Sequence, residues 1–208
     1  MRERESRLTT SGDPAALARM RKSPGTYYVE AGRSNESMCR AAAFHEAGHA
    51  VVAIVSGKLD VHFVILHVQS SHTTFGVAGY TETTFASVGT LEETLAAYGS
   101  PEMLRARAVQ ILAGPAAEWL VNDDDASAED AHRGAEDDNR QAIQLAIQAV
   151  GPDDCLSYCR SCVDEARELL RGHWGACCAV AEYLLEHPNQ EMPGARVRHL
   201  VVETPALG

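Results

Sequence analysis

Long apolar runs are missing from this sequence. The run AVVAIV (50–55) is six residues long, against the ~20 that a membrane helix needs, so no membrane insertion is expected. A basic surplus is missing too. The formal net charge is −11, which argues against a nucleic-acid or anionic-membrane surface. The opening MRERESRLTTSGD is charged and has no apolar signal-peptide core, so a soluble, cytoplasmic protein is expected. No phosphate-binding G-x-x-x-x-G-K-[ST] occurs, and there is no internal repeat and no sign of a second domain.

The chain has 208 residues and 45% apolar content, enough for one domain with a real core. Its six cysteines are read as reduced, because no secretory signal precedes them. Cys155, Cys159 and Cys162 share a helical face and so suggest a second metal cluster, but buried inert thiols account better for them. Cys177 and Cys178 are read as structural.

The stretch AAAFHEAGHAVVAIV (41–55) organises the rest. It is alanine-rich, free of proline and followed by Gly57, which predicts one helix from about Glu36 to Ser56. His45 and His49 are four apart, which stacks two imidazoles on one face within reach of one metal ion. Glu46, one step round, can take a proton from a water at that ion. Gly48 lets backbone or substrate approach beside the metal. Two histidines and a glutamate do meet at this spacing by chance, as packed residues of a structural helix. The apolar flank weighs against that, because burying these groups without partners costs several kcal/mol and a metal supplies the partners.

Residues 1–36 are polar and read as a flexible arm, with a short helix at DPAALARMRK. VHFVILHV (61–68) and FGVAGYTE (75–82) read as strands around a polar turn. TLEE (90–93) has capping-box spacing, and 100–121 opens with Ser100 as N-cap and Pro101 at the first position. Pro115 is expected to kink or split that helix after Gly114. The acidic stretch 122–138 reads as a solvated loop overlapping an amphipathic helix over 136–151. Two more helices follow at about 154–171 and 173–187, separated by Gly172 and Gly175. The fold class is therefore mainly α (α+β), with one small sheet beside the HExxH helix.

Two histidines alone hold zinc weakly, and a catalytic site normally has three protein ligands. His62, His67, His72, His132, Glu118 and the acids of 123–138 all remain open by spacing.

HEAGHAVVA, followed by VHFVIL, GVAGYT, LAGPAAEWLV and GAEDDNRQAIQLA, resembles the protease domain of the FtsH family of ATP-dependent zinc metalloproteases. VDEARELL…AEYLLEH resembles that domain's C-terminal helices. The resemblance covers residues 37–200 and leaves 201–208 as a tail. In that family an aspartate in a Gly-Ala-x-x-Asp stretch is the third ligand, which matches Asp138 here rather than its neighbour Asp137 or the rival Glu118. Asp138 would open a helix whose inner face runs Asp138, Ala142, Leu145 and Ala149, with Asp137 about 100° away. Family members are membrane-anchored and carry an ATPase module, neither of which is seen here. The family's Gly-Gly-Arg-like segment is Ala113-Gly114-Pro115.

The resemblance thus implies a zinc endopeptidase acting on flexible or unfolded polypeptides without an ATPase of its own. His45, His49 and Asp138 would bind Zn2+, and Glu46 would be the general base. The strand Gly76, Val77, Ala78, Gly79, Tyr80 and Thr81 would take an extended substrate along its edge. A separate ATPase or adaptor would feed it, and hexameric rings are not assumed. The alternatives are a catalytically silent metal-binding domain serving as adaptor or regulator, and a structural helix with no metal.

Overall fold

The computed structural model describes residues 34–70, 75–86, 99–121 and 135–204. Among them are six helices and one three-stranded antiparallel sheet. The first helix, Asn35–Ser56 (α1), begins where the Ser34 hydroxyl accepts from the backbone N–H of Ser37 (3.1 Å) and ends at Gly57 in the left-handed conformation (φ 65°). Every residue from Ala41 to Ile54 is buried. Such a helix has no solvent face to make it amphipathic, so it must be covered on all sides.

The covering layers come from both halves of the chain. Leu59–Ser70 (β1) and Phe75–Phe85 (β2) form a hairpin against one side of α1, with an irregularity between Val61 and Phe63. Both strands run longer than the predicted 61–68 and 75–82. Pro101–Val121 (α2) packs against the opposite side of α1, and Glu136–Val150 (α3) and Cys155–Gly172 (α4) pack in turn on α2. Trp174–Glu186 (α5) returns to α1, where Trp174 stacks on Phe44 with ring centroids 5.5 Å apart. Only His173 separates α4 from α5, and Gly175 lies inside α5 rather than between the helices.

Small residues let α1 and α2 approach closely. A Cβ on Gly48 would lie 2.5 Å from the Ala113 carbonyl oxygen and 2.7 Å from the Ala117 Cβ. The predicted close approach at Gly48 is therefore made by the backbone of α2. Pro115 does not split α2, which runs unbroken to Val121. A proline inside a helix costs ~3 kcal/mol. Here the helix is buried from Ala108 to Gly114 and again from Ala116 to Glu118, so tertiary packing overrides the local signal. Ser100 and Pro101 behave as predicted, with the Met103 N–H donating to the Ser100 hydroxyl (3.3 Å).

Two C-terminal elements had no counterpart in the sequence reading. Met192–Pro193 (β3) pairs with Phe63 and Val64 of β1, and Gly194–Glu203 (α6) follows at once. The segment read as a tail from 201 thus begins inside a helix, with Val201 buried. The sheet order is β2-β1-β3, which leaves β2 with one edge not paired to any strand among the described residues. The arm up to residue 33, the turn residues 71–74, TLEE and the acidic stretch 122–134 lie outside the described residues. The last three acids of that stretch, Glu136 to Asp138, open α3, which matches the helix predicted over 136–151.

All six cysteines are free, and Cys155, Cys162 and Cys177 are buried. Burial pushes the Cys162 thiol up to about 11 and Cys177 higher still, as inert core thiols should behave.

Candidate metal centre

Helix α1 brings His45, Glu46 and His49 to the middle of the core, each 2% exposed. The turn geometry of α1 sets the two rings edge to face, 4.6 Å apart, with their Nε2 atoms only 2.9 Å from each other. At that separation the two nitrogens can share one proton or one ion.

Each ring is turned by a bond at its other nitrogen. His49 Nδ1–H donates to the backbone carbonyl of Gln110 (2.8 Å), and His45 Nδ1 faces Glu118 Oε1 at 2.5 Å. Both partners belong to α2. Bonds of this kind fix the tautomer and set the direction of Nε2.

Helix α3 supplies the third group. Asp138 Oδ2 is 2.9 Å from His45 Nε2 and 3.3 Å from His49 Nε2. Burial opposes charge on His45, yet its hydrogen bonds to Asp138 and Glu118 outweigh this and raise its pKa to about 10. Burial likewise opposes the Asp138 carboxylate, but His49 and His45 hold it well below the usual carboxylate range. A metal ion bound here would take the place of a proton among these groups.

Glu46 points to the sheet. Its Oε2 accepts from the Thr81 hydroxyl (2.6 Å), and its carboxylate lies over Gly79. A Cβ on Gly79 would come within 2.5 Å of Glu46 Oε1. Facing it across the rings, a Cβ on Gly114 would lie 2.5 Å from His49 Nε2 and 2.7 Å from His45 Nε2. These two glycines make room for the Glu46 carboxylate and the two Nε2 atoms by offering no side chain. Gly79→Ala should therefore retain metal but lose at least ~10-fold in any Glu46-dependent reaction, through misplacement of the base. Gly114→Ala should lower metal affinity by ~10-fold or more, since ligand orientation is disturbed. Metal analysis beside activity separates the two; metal loss in Gly79→Ala with Gly114→Ala unchanged would reverse the assignment.

The buried His45–Glu46–His49 group can hold a metal ion, with its ligand atoms all within 4.8 Å of one another. Asp138 Oδ2 lies within the same distance of both rings, and away from these two histidines no further group of this kind occurs among the described residues. Of the candidates left open by spacing, His62 and His67 are exposed on the sheet, and His62 bonds to the Thr84 hydroxyl instead (2.9 Å). His72 and His132 lie outside the described residues. Asp137 is exposed and paired with Arg140 (2.9 Å). Glu118 is buried but sits at the far nitrogen of His45.

Of the strand 76–81, Val77, Gly79 and Thr81 are buried, while Ala78 and Tyr80 are half-buried. Gly76 lies near the start of the same strand. The inner face of α3 is made by Asp138, Ala142 and Ala146. Leu145 and Ala149, placed on that face by the sequence reading, are half-buried. Sequence reasoning missed Gln110, whose role is played by its carbonyl and leaves no trace in residue type.

Compared with known proteins, the chain matches no family model and no curated protein. No helix among the described residues is long and apolar enough to cross a membrane.

Proposed function

We propose that the chain is a zinc-dependent endopeptidase of the FtsH type, cleaving flexible or unfolded polypeptides. The convergence of His45 Nε2, His49 Nε2 and Asp138 Oδ2 at mutual distances of 2.9–3.3 Å carries this reading. Ligands at ~2.0–2.1 Å from a tetrahedral zinc lie ~3.3 Å from one another, so the residues fit the ion. Asp138 is preferred to Glu46 as third ligand because its oxygen faces both rings, whereas Glu46 is held by Thr81.

Bound zinc would supply Lewis acidity, polarising the scissile carbonyl and bringing the pKa of a water toward ~7. Glu46 takes the proton of the attacking water and passes it to the leaving amine. Thr81 orients that carboxylate through its hydroxyl. The edge of β2 over residues 76–81, which no strand among the described residues covers, binds substrate backbone whatever the side chains, which suits an unfolded polypeptide. A separate ATPase or adaptor would deliver folded substrates. The six free cysteines favour a reducing compartment such as the cytoplasm.

The test is cleavage of casein or another unfolded protein by the zinc-loaded chain, with and without a chelator. Cleavage should stop with the chelator and return with zinc. Stoichiometric zinc with no cleavage would turn the reading to a silent metal-binding adaptor, and no bound metal would sink it.

A further inference from the structure

Arg107 of α2 carries a charge that the peptidase chemistry leaves unused. Its guanidinium is withdrawn from water far enough that burial lowers its pKa, although the residue as a whole is only half-buried. Nη1 donates to the Thr83 hydroxyl (2.5 Å) and to the Gln110 side-chain carbonyl (2.9 Å), both neutral acceptors. No carboxylate among the described residues forms an ion pair with it. Asp138 acts on it through space, but that carboxylate faces His45 and His49. A permanently charged group held among neutral oxygens is costly to keep, unless an anion comes to it.

Its position says where that anion would lie. Thr83 stands two residues beyond Thr81 on β2, a step of ~6.8 Å along the strand. Thr81 holds Glu46. A peptide laid along β2 advances at the same rate, so a substrate residue about two positions from the bond attacked comes beside the guanidinium.

We propose that Arg107 forms an anion subsite at the end of the substrate strand, receiving a substrate carboxylate about two residues from the scissile bond. The planar fork of arginine suits a carboxylate, and the flanking Thr83 and Gln110 hold the fork in place. The carboxylate belongs either to an acidic side chain or to a free chain end. This inference rests on the peptidase reading above.

The experiment uses two sets of peptides with the zinc-loaded full chain. One set has blocked ends and carries Glu or Gln at successive positions around the cleaved bond; the other ends in a free acid or an amide. Cleavage efficiency should favour the carboxylate member of one set by roughly ten- to hundredfold, as for a bond to a charged group. The first set identifies a side chain and the second a chain end. In Arg107→Gln the ratio should fall to about one, and Arg107→Lys should retain part of it; a merely structural arginine would leave the ratio unchanged. Binding of the same pairs to the Glu46→Gln protein should show the same preference without turnover. That binding preference with no cleavage by the unaltered chain would keep the subsite and overturn the peptidase. Equal binding and cleavage of both members in both sets, or a preference undiminished in Arg107→Gln, overturns the subsite. Where Arg107→Gln does not fold, the unaltered chain and Arg107→Lys decide.

Discussion

Glu46→Gln protein should bind its metal as well as the unaltered chain and cleave at least ~100-fold more slowly, the usual loss when a general base goes. The substitution is nearly isosteric, and the amide carbonyl can still accept from Thr81, which now holds Oε2 at 2.6 Å. The histidines keep their bonds to Gln110 and Glu118, so the ligand set is untouched. What disappears is the group able to accept a proton beside the two rings. The measurement is zinc content and casein cleavage on the same preparation. Cleavage that survives with zinc retained means that another group activates the water, and the role given to Glu46 falls.

Metal retention separates Asp138 from its two rivals. Asp138→Asn removes the charged oxygen that faces both Nε2 atoms, and the neutral amide that replaces it is a poor zinc ligand, so metal should be lost on dialysis. Asp137→Asn should change nothing, since that side chain is exposed and, among the described residues, pairs with Arg140 alone. Glu118→Gln should weaken affinity by ~10–100-fold without abolishing it, the common result of removing a partner behind a ligating histidine. If Glu118→Gln strips the metal while Asp138→Asn keeps it, the ligand set is wrong.

Local rules made α1 and its metal-facing residues legible. The i, i+4 spacing of His45 and His49 needs only helix geometry, and the Gly57 stop is local. The hairpin and the four helices after it were legible for the same reason, since their apolar periods and glycines are short-range signals. The third group was not legible from spacing, because Asp138 meets the histidines only through the packing of α3 and α1 on α2. Glu118 illustrates the same limit: its type fits a ligand, and only the fold puts it at Nδ1 rather than Nε2 of His45. Pro115 misled because a local breaker was outweighed by burial, and β3 because a two-residue strand has no period to read. Arg107 gave no signal at all, as an arginine on a helix is usually a solvated one.

Helix α3 joins the site with little apolar grip of its own. Its buried residues besides Asp138 are Ala142 and Ala146, while Ile143, Ile147 and Val150 are 36%, 44% and 42% exposed. Full burial of a large aliphatic side chain contributes ~1.5–3 kcal/mol, and α3 has none fully buried. An ion bound by Asp138 and the two histidines would rivet this loosely held wall to α1, cross-linking segments far apart in the chain. Taking such an ion away would then remove more than a Lewis acid: it would unpin α3 from α1, so the stripped protein would lose shape beside the two histidines.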